Sequence, residues 1–284
     1  MARTESLNIL LSTTGKDYLA EKYGAVIANV QKRCISSQLK NNQLSGDPEA
    51  GSVEAKRFEN KNSQSYGTAR SANHGQYVTA TPVTVNINQD KEIVAEVEDK
   101  DAAMYGVSGL LDREAASAER AMVRELERAF FLTAANAGTT FTTAKTDADK
   151  IIEDFIQAVE TTQNDFVDGV ERDMIAVVCS PATYGALRSY FDKVQDGGAH
   201  GEAIATFHGV RVYSSIYLPA GVNAIAMAEG AVAQPVRVKE YGAERIPLSN
   251  ALAIELFYSY GTKAVAADLI QVYGTPSSSG IQGA

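Results

Sequence analysis

Four acidic side chains within six residues, Glu96, Glu98, Asp99 and Asp101, form the densest group of potentially reactive side chains in the sequence. Residues at i and i+2 of a strand point to one side, so Glu96/Glu98 and Asp99/Asp101 resemble the paired carboxylates of acid–base catalysis. That chemistry needs a charged neighbour or an apolar pocket to drive the two pKa values apart, and no partner placed to do so is evident. The same spacing serves a charged contact surface equally well. His74, His200 and His208 lack the H-E-x-x-H spacing of a zinc enzyme. His200 and His208 could meet beside Glu202, but a metal site needs a further ligand of suitable geometry, and histidines on surface loops are the plainer reading. The two cysteines, Cys34 and Cys179, are far apart and in no metal-like spacing. They fit two buried thiols in a reducing compartment, with a disulfide or a nucleophile as the alternatives. The G-x-x-x-x-G-K-[ST], G-x-G-x-x-G and G-x-S-x-G motifs are all missing.

The charge pattern points to contact more than to turnover. The chain of 284 residues carries a net charge of −9, which argues against a protein whose whole surface binds nucleic acid. Against that background residues 51–76 hold Lys56, Arg57, Lys61 and Arg70 against two acids, and residues 90–101 hold six acids against two lysines. A basic segment and an acidic one so close in sequence suit electrostatic docking, although each could equally be a solvated face. Further on, Arg120, Arg124 and Arg128 form an i, i+4, i+8 row that repels itself unless paired. Glu119, Glu125 and Glu127 are placed to neutralise part of it, and the remainder could face a partner or a polyanion.

The elements that position these groups follow from periodicity and punctuation. The start offers only Leu7–Leu11 as an apolar window, too short for a signal peptide, and no later run approaches a membrane span. Residues 1–50 read as an arm whose helix, with Leu19, Tyr23, Val26, Ile27 and Val30 on one face, cannot bury that stripe alone. Residues 51–82 form a poor core: a two-stranded excursion with a polar tip, marginal by itself and in need of something to lie on. From Val83 to Gly106 come strands at Val83–Ile87 and Glu92–Val97 and then the acidic cluster. A helix from Gly106 or Ser108 to about Ala135 follows, with Gly138 as the expected left-handed C-terminal residue. From Thr146 the pattern turns to alternating helix and strand. A helix lies near Ile151–Val159, a buried strand at Met174–Val178 and a helix Ala182–Val194 capped by Ser180-Pro181. A loop around Asp196–Gly201 leads to strands Val210–Tyr213 and Ala224–Ala228. Two long strands, Ala251–Tyr260 and Thr262–Val272, are expected to meet at Gly261 with almost no loop, before a frayed tail.

Several of these segments, in order, resemble the major capsid protein of tailed bacteriophages, the Hong Kong 97-type (HK97-like) coat fold. The carriers are the Asp99–Ala103 D-x-D-A-A segment before the long helix, VVCSPATYGALRSYF (Val177–Phe191), HGVRVYSSIYLP (His208–Pro219) and ELFYSYGTKAVAADLIQVY (Glu255–Tyr273). The resemblance implies an α+β architecture: N-terminal arm (1–50), extended E-loop (51–82), P-domain strands and spine helix (83–145), A-domain (146–236), return strands (237–275) and flexible tail (276–284). It implies a coat protein, not an enzyme and without cofactors, that assembles into hexamers and pentamers of an icosahedral shell around double-stranded DNA. The virion would be its destination and the bacterial cytoplasm its place of assembly. Lys56, Arg57, Lys61 and Arg70 would meet Glu96, Glu98, Asp99 and Asp101 of a neighbour, and Arg120, Arg124 and Arg128 would face the interior. If Met1 is the true start, no fused scaffolding domain is present, and a separate scaffolding protein and a portal are expected, with a decoration protein as an option. Some relatives weld subunits through a Lys–Asn bond. Lys61 would be the obvious lysine, but no acceptor Asn or catalytic Glu can be matched. An encapsulin-like nanocompartment shares the fold and is the rival reading; a soluble α/β enzyme is the rival from another class.

Overall fold

The computed structural model describes residues 7–98, 100–101, 104, 106–194 and 206–276. Its organising element is helix α3 (Val107–Ala137), 31 residues long and therefore about 46 Å from end to end at 1.5 Å per residue. The helix is flanked by the arm, helix α1 (Thr13–Arg33) and the short helix α2 (Ile35–Leu39). It also touches two sheets. Strand β1 (Ser52–Phe58) pairs antiparallel with β2 (Ala80–Asn86), and β3 (Gln89–Val97) continues the chain into α3.

The first sheet holds β3, β10 (Val236–Arg245) and β11 (Leu252–Tyr260), with β11 in the centre and every pairing antiparallel. One face is buried. Val97, Leu252, Ile254, Leu256, Tyr258 and Tyr260 point into a core closed by Leu19, Tyr23, Val26 and Val30 of α1 and by Leu111, Ala118, Met122 and Leu126 of α3. The arm helix that could not bury its stripe alone thus packs on its own chain.

The second sheet has six strands in the order β4 (Thr139–Phe141), β13 (Ile270–Gly274), β8 (Val222–Ala228), β5 (Ile175–Cys179), β7 (Val210–Ser214) and β6 (Thr206–Phe207). Alternate residues serve opposite faces. Ala176, Val178, Ile225, Met227, Ile270 and Val272 face the second half of α3 through Phe130, Phe131 and Ala134, together with Leu39 of α2. Ile175, Val177, Cys179, Ala224 and Ala226 face α4 (Ala148–Glu160), through Ile152, Phe155, Ile156 and Val159, and α5 (Pro181–Val194), through Leu187. Strands β5 and β7 are parallel, a pairing that needs a crossover, and α5 lies in it. Ser180 Oγ accepts the Thr183 N–H at its start. The β6–β7 hairpin turns through His208 and Gly209 at φ 48° and 92°, the double positive φ of a type I′ turn.

Four expectations from the sequence differ from this structure. Gly138 is extended (φ −72°, ψ 163°), not left-handed. It is glycine because a Cβ there would lie 2.7 Å from Ile270 and 2.8 Å from Val272. The strand expected over Thr262–Val272 is broken into β12 (Lys263–Ala264), a 3-10 turn (Ala267–Leu269) and β13, and β12 pairs with β9 (Val232–Ala233). It does not pair with β11, and the closing strand β13 belongs to the six-stranded sheet. β10 escaped notice because a bulge between Val238 and Glu240 breaks its alternation. The loop at Asp196–Gly201, the D-x-D-A-A segment apart from Lys100 and Asp101, and the tail from residue 277 lie outside the described residues.

Glu127, on α3, is buried at 2% exposure. One oxygen accepts the Ser36 backbone N–H at 2.8 Å at the start of α2; the other, like Ser36 Oγ, has no partner among the described residues. Burial pushes this carboxyl above its ordinary value, and the hydrogen bonds from Ser36 only partly oppose it. A raised folded-state pKa means the folded state holds the proton more tightly, so stability falls as pH rises from about the ordinary 4.5 through the raised value. Glu127→Gln removes this loss. Thermal melts of the two proteins should converge at acid pH, with the variant gaining relative stability as pH rises; a difference that stays flat with pH would refute the assignment.

Gly261 gives a second test. A Cβ there would lie 1.9 Å from the Asn86 carbonyl oxygen, a backbone atom that cannot swing aside. Gly261→Ala should destabilise by about 1–3 kcal/mol, the range for overpacking, readable as a lower urea midpoint. An unchanged midpoint would mean the two segments part without cost.

Candidate assembly surfaces

The β1–β2 ribbon is anchored at its base and by one backbone bond beyond it, from the Asn60 N–H to the Asp165 carbonyl at 2.9 Å. Val53, Ala55 and Val85 pack on Ala233 and Val265, and Lys263 Nζ donates to the Thr84 carbonyl at 2.9 Å. Arg57 forms a two-pronged pair with Asp268, at 2.8 and 2.9 Å, and lies over the Phe166 ring at 4.4 Å. Asn164 donates to the same carboxylate. Burial pushes Asp268 up, but Arg57 and Asn164 outweigh it and hold the group below the ordinary range. From Lys56 to Thr84 no residue is buried. Tyr66 is fully exposed, Tyr77 and Val78 are exposed at 75% and 77%, and Phe58 stands out beside them. Within the tip, Lys61 donates to the Tyr77 carbonyl, Gln76 to the Asn62 carbonyl at 2.6 Å, and His74 stacks on Tyr77 at 5.2 Å.

The basic candidates therefore play different parts. Lys56 and Arg70 are exposed and make no ion pair among the described residues. Lys61 braces the tip, and Arg57 is engaged by its own chain.

The acids lie on the face of the three-stranded sheet that α1 and α3 do not cover. Glu92, Val94 and Glu96 point outward from β3, and Val94 is about half exposed. Asp90 pairs with Lys239, and Glu98 with Lys100. The Asp101 N–H donates to the Glu98 carbonyl at 3.0 Å. Asp99 lies outside the described residues. Glu96 stands exposed on the strand and Glu98 is paired with Lys100, an arrangement that supports a charged surface.

Arg120, Arg124 and Arg128 are all exposed along α3 and make no ion pair among the described residues. The acids expected to neutralise them face elsewhere. Glu119 takes Arg33 and the Asn29 amide, Glu127 caps α2, and Glu125 takes Lys91 at 2.9 Å and the Tyr260 hydroxyl at 2.7 Å. Burial pushes Glu125 up; Lys91 and Tyr260 reverse that and hold it low. Glu119 and Glu127 are buried and, with Glu125, turn towards the arm and sheet while the arginines stay exposed, although Arg128, three residues on, still helps to hold Glu125 low.

The remaining chemical candidates are accounted for locally. His208 Nδ1 sits 3.1 Å from Glu153, which also binds Arg172; His200 and Glu202 lie outside the described residues. Among the described residues no group of three or more His, Cys, Asp or Glu side chains could hold a metal, and no helix is long and apolar enough to cross a membrane. Both cysteines are free and buried, and burial pushes their thiols up to about 12. Sequence reading missed Asp268, which is 211 residues from Arg57 and carries no local signal. It also passed over the exposed apolar residues Phe58, Tyr66, Tyr77 and Val78, whose presence in a polar loop was the available clue.

A family model described as phage capsid protein matches residues 84–274. Among solved structures, one from Mycobacterium phage Che8 is 19% identical with a TM-score of 0.64, covering 85% of this chain and 91% of that one. The capsid of cyanophage P-SCSP1u is 15% identical with a TM-score of 0.62, covering 86% and 89%. A virus-like particle from Pyrococcus furiosus is 13% identical with a TM-score of 0.57, covering 90% and 99%. No curated protein shows a significant sequence match to the chain. At these identities the solved structures establish a shared fold.

The contrast between adjacent ribbon residues is testable in the isolated subunit. Arg57→Glu sets two carboxylates together at a partly exposed site and should cost about 1–3 kcal/mol, less than a fully buried broken pair. Lys56→Glu should leave the melting temperature within error. Adding Asp268→Arg to Arg57→Glu should recover part of the loss. Equal melting temperatures for the two single variants would overturn the reading of Arg57 as an intrachain anchor.

Proposed function

The chain belongs to the phage capsid protein family, and from that premise we propose that its ribbon, residues 56–84, reaches across a subunit boundary to join copies into hexamers and pentamers of an icosahedral shell. The fold is the HK97-like coat fold and the protein is a major capsid protein, a structural component of the virion. The encapsulin-like reading is not favoured by the family match. The observation that carries the proposal is the run from Lys56 to Thr84 without a single buried residue. A two-stranded ribbon is marginal in water, and one that displays Phe58, Tyr66, Tyr77 and Val78 has apolar surface to bury elsewhere.

In this reading Lys56 and Arg70 meet the outward acids of a neighbour, Glu92, Glu96 and Glu98, with Asp99 and Asp101 extending the same surface. The sequence assigns Lys61 and Arg57 to that contact as well. Their intrachain partners make Lys61 a brace of the tip and Arg57 an anchor of the ribbon base, so each acts on the contact by holding the ribbon in place. Arg120, Arg124 and Arg128 form a cationic row free to contact packaged double-stranded DNA through its phosphates, a contact without sequence preference. A separate scaffolding protein, a portal and assembly in the bacterial cytoplasm complete the proposal, with a decoration protein as a further partner.

The test is to replace residues 60–78 with a two-residue Asn-Gly turn. Nothing in that segment is buried and the deletion gives up one backbone bond to the body, Asn60 to Asp165, so the isolated subunit should keep its melting temperature within about 2 °C, the scale of a surface change. Negative-stain microscopy and light scattering should show shells for the wild type, with scaffold if it is needed, and none for the variant. Shells of normal size from the variant would remove the ribbon from the assembly contact.

A further inference from the structure

Between the end of α2 and the base of the ribbon lies an open cavity of about 360 Å³. Its lining includes Lys40, Asn42, Lys56, Arg57 and Glu229, with Val265, Ala266 and Leu269 as its apolar part. The local charges do not balance. Arg57 is matched by Asp268. Glu229, the acid of the lining, is matched by Arg211. Lys40 and Lys56 have no carboxylate among the described residues, and the Asn42 amide has no partner there either. Lys40 is half-buried, and burial lowers its pKa, opposed only by the Cys34 thiol and by no carboxylate. A half-buried ammonium loses hydration without recovering it from a counter-ion, a cost that an approaching anion reverses.

We propose that this cavity is a receptor for a carboxylate side chain from a second copy of the chain, clasped by Lys40 and Lys56. The inference rests on the shell reading above and extends it to a site on the body of the subunit, beside the ribbon and not on its tip. Three features favour a carboxylate of another copy. The open cavity admits an acidic side chain, and the two unmatched cations that line it, Lys40 and Lys56, are too few to track a polyanion. It sits where the ribbon leaves the body, so a neighbour joined through the ribbon lies beside it. The chain also supplies complementary charge, since Glu92 and Glu96 are exposed and make no ion pair among the described residues. The apolar part of the lining strengthens the attraction by keeping water away.

The experiment uses the full-length chain. Lys40→Met should leave the subunit's melting temperature unchanged or raise it, because an uncompensated charge is removed, while the rate of shell formation falls at least tenfold; Lys40→Arg should restore assembly. Shells made from a mixture of light and ¹⁵N-labelled subunits, treated with a carbodiimide, should give a Lys40 cross-link to an acidic peptide of opposite label, and free subunits should not. Normal assembly by Lys40→Met, or loss of subunit stability in proportion to loss of assembly, would overturn the proposal. A Lys40 cross-link to Glu229 of the same label would do so too, as would protection of Lys40 in free subunits by inorganic phosphate, which would mark a site for small anions. Failure of the wild type to form shells under any condition would remove the premise and is read separately from the variants.

Discussion

A single helix has to satisfy two cores at once, and most of the structure follows from how it does so. The first half of α3 closes the three-stranded sheet with Leu111, Met122 and Leu126; the second half closes the six-stranded sheet with Phe130, Phe131 and Ala134. The two sets are consecutive along one helix, so the sheets cannot reorient independently without breaking it. Burying each large side chain contributes about 1.5–3 kcal/mol, so both halves of α3 are held by several such contributions. Gly138 belongs to the same constraint. It lets the chain leave α3 hard against Ile270 and Val272, so that β4 can start beside β13 at once.

The polar groups of α3 are sorted by this burial. Glu119, Glu125 and Glu127 are directed inward and each finds a donor on the arm or sheet: Arg33 and Asn29, Lys91 and Tyr260, and the start of α2. The arm therefore docks through both an apolar stripe and specific acceptors. An apolar stripe alone would leave the register of α1 and α2 against α3 weakly defined, whereas a buried carboxylate capping α2 permits one register, because misplacing it strands a charge without donors. The arginines are left to the opposite side, and their exposure is a consequence of where the acids had to go.

Much of this was legible beforehand. The long helix, the arm helix, the Ser180-Pro181 cap and the buried strand at Ile175–Cys179 all have a local signature of period 3.6, a cap or an unbroken apolar run. The errors share a cause. β10 was hidden because its bulge shifts the alternation by one residue. The second half of the expected closing hairpin was misread because Val265, Ala266, Leu269 and Ile270 are apolar in a run. An apolar run announces burial but not which sheet receives it. The charge of Arg57 was visible, but its partner was not. Asp268 lies 211 residues away, and only the fold of both sheets around α3 brings the two together. The same limit applies to Glu119, Glu125 and Glu127, which sequence spacing paired with neighbouring arginines on the helix while tertiary donors claimed them.

The ribbon shows what this arrangement makes possible. Holding the backbone of a residue in one conformation costs about 1–2 kcal/mol, and the residues beyond the ribbon base bury nothing in return within the chain. Folding of the body cannot depend on them, since both cores close without any residue between Lys56 and Thr84. Within the subunit the tip is held by the Asn60 bond to Asp165, a few hydrogen bonds such as those from Lys61 and Gln76, and the stacking of His74 on Tyr77. A segment so arranged can change its surroundings without unfolding its subunit, because the base is fixed by Arg57, Asp268 and a small apolar cluster. That separation, with stability in the body and exposed apolar and charged surface in the ribbon, lets the surroundings of the ribbon vary without cost to the fold.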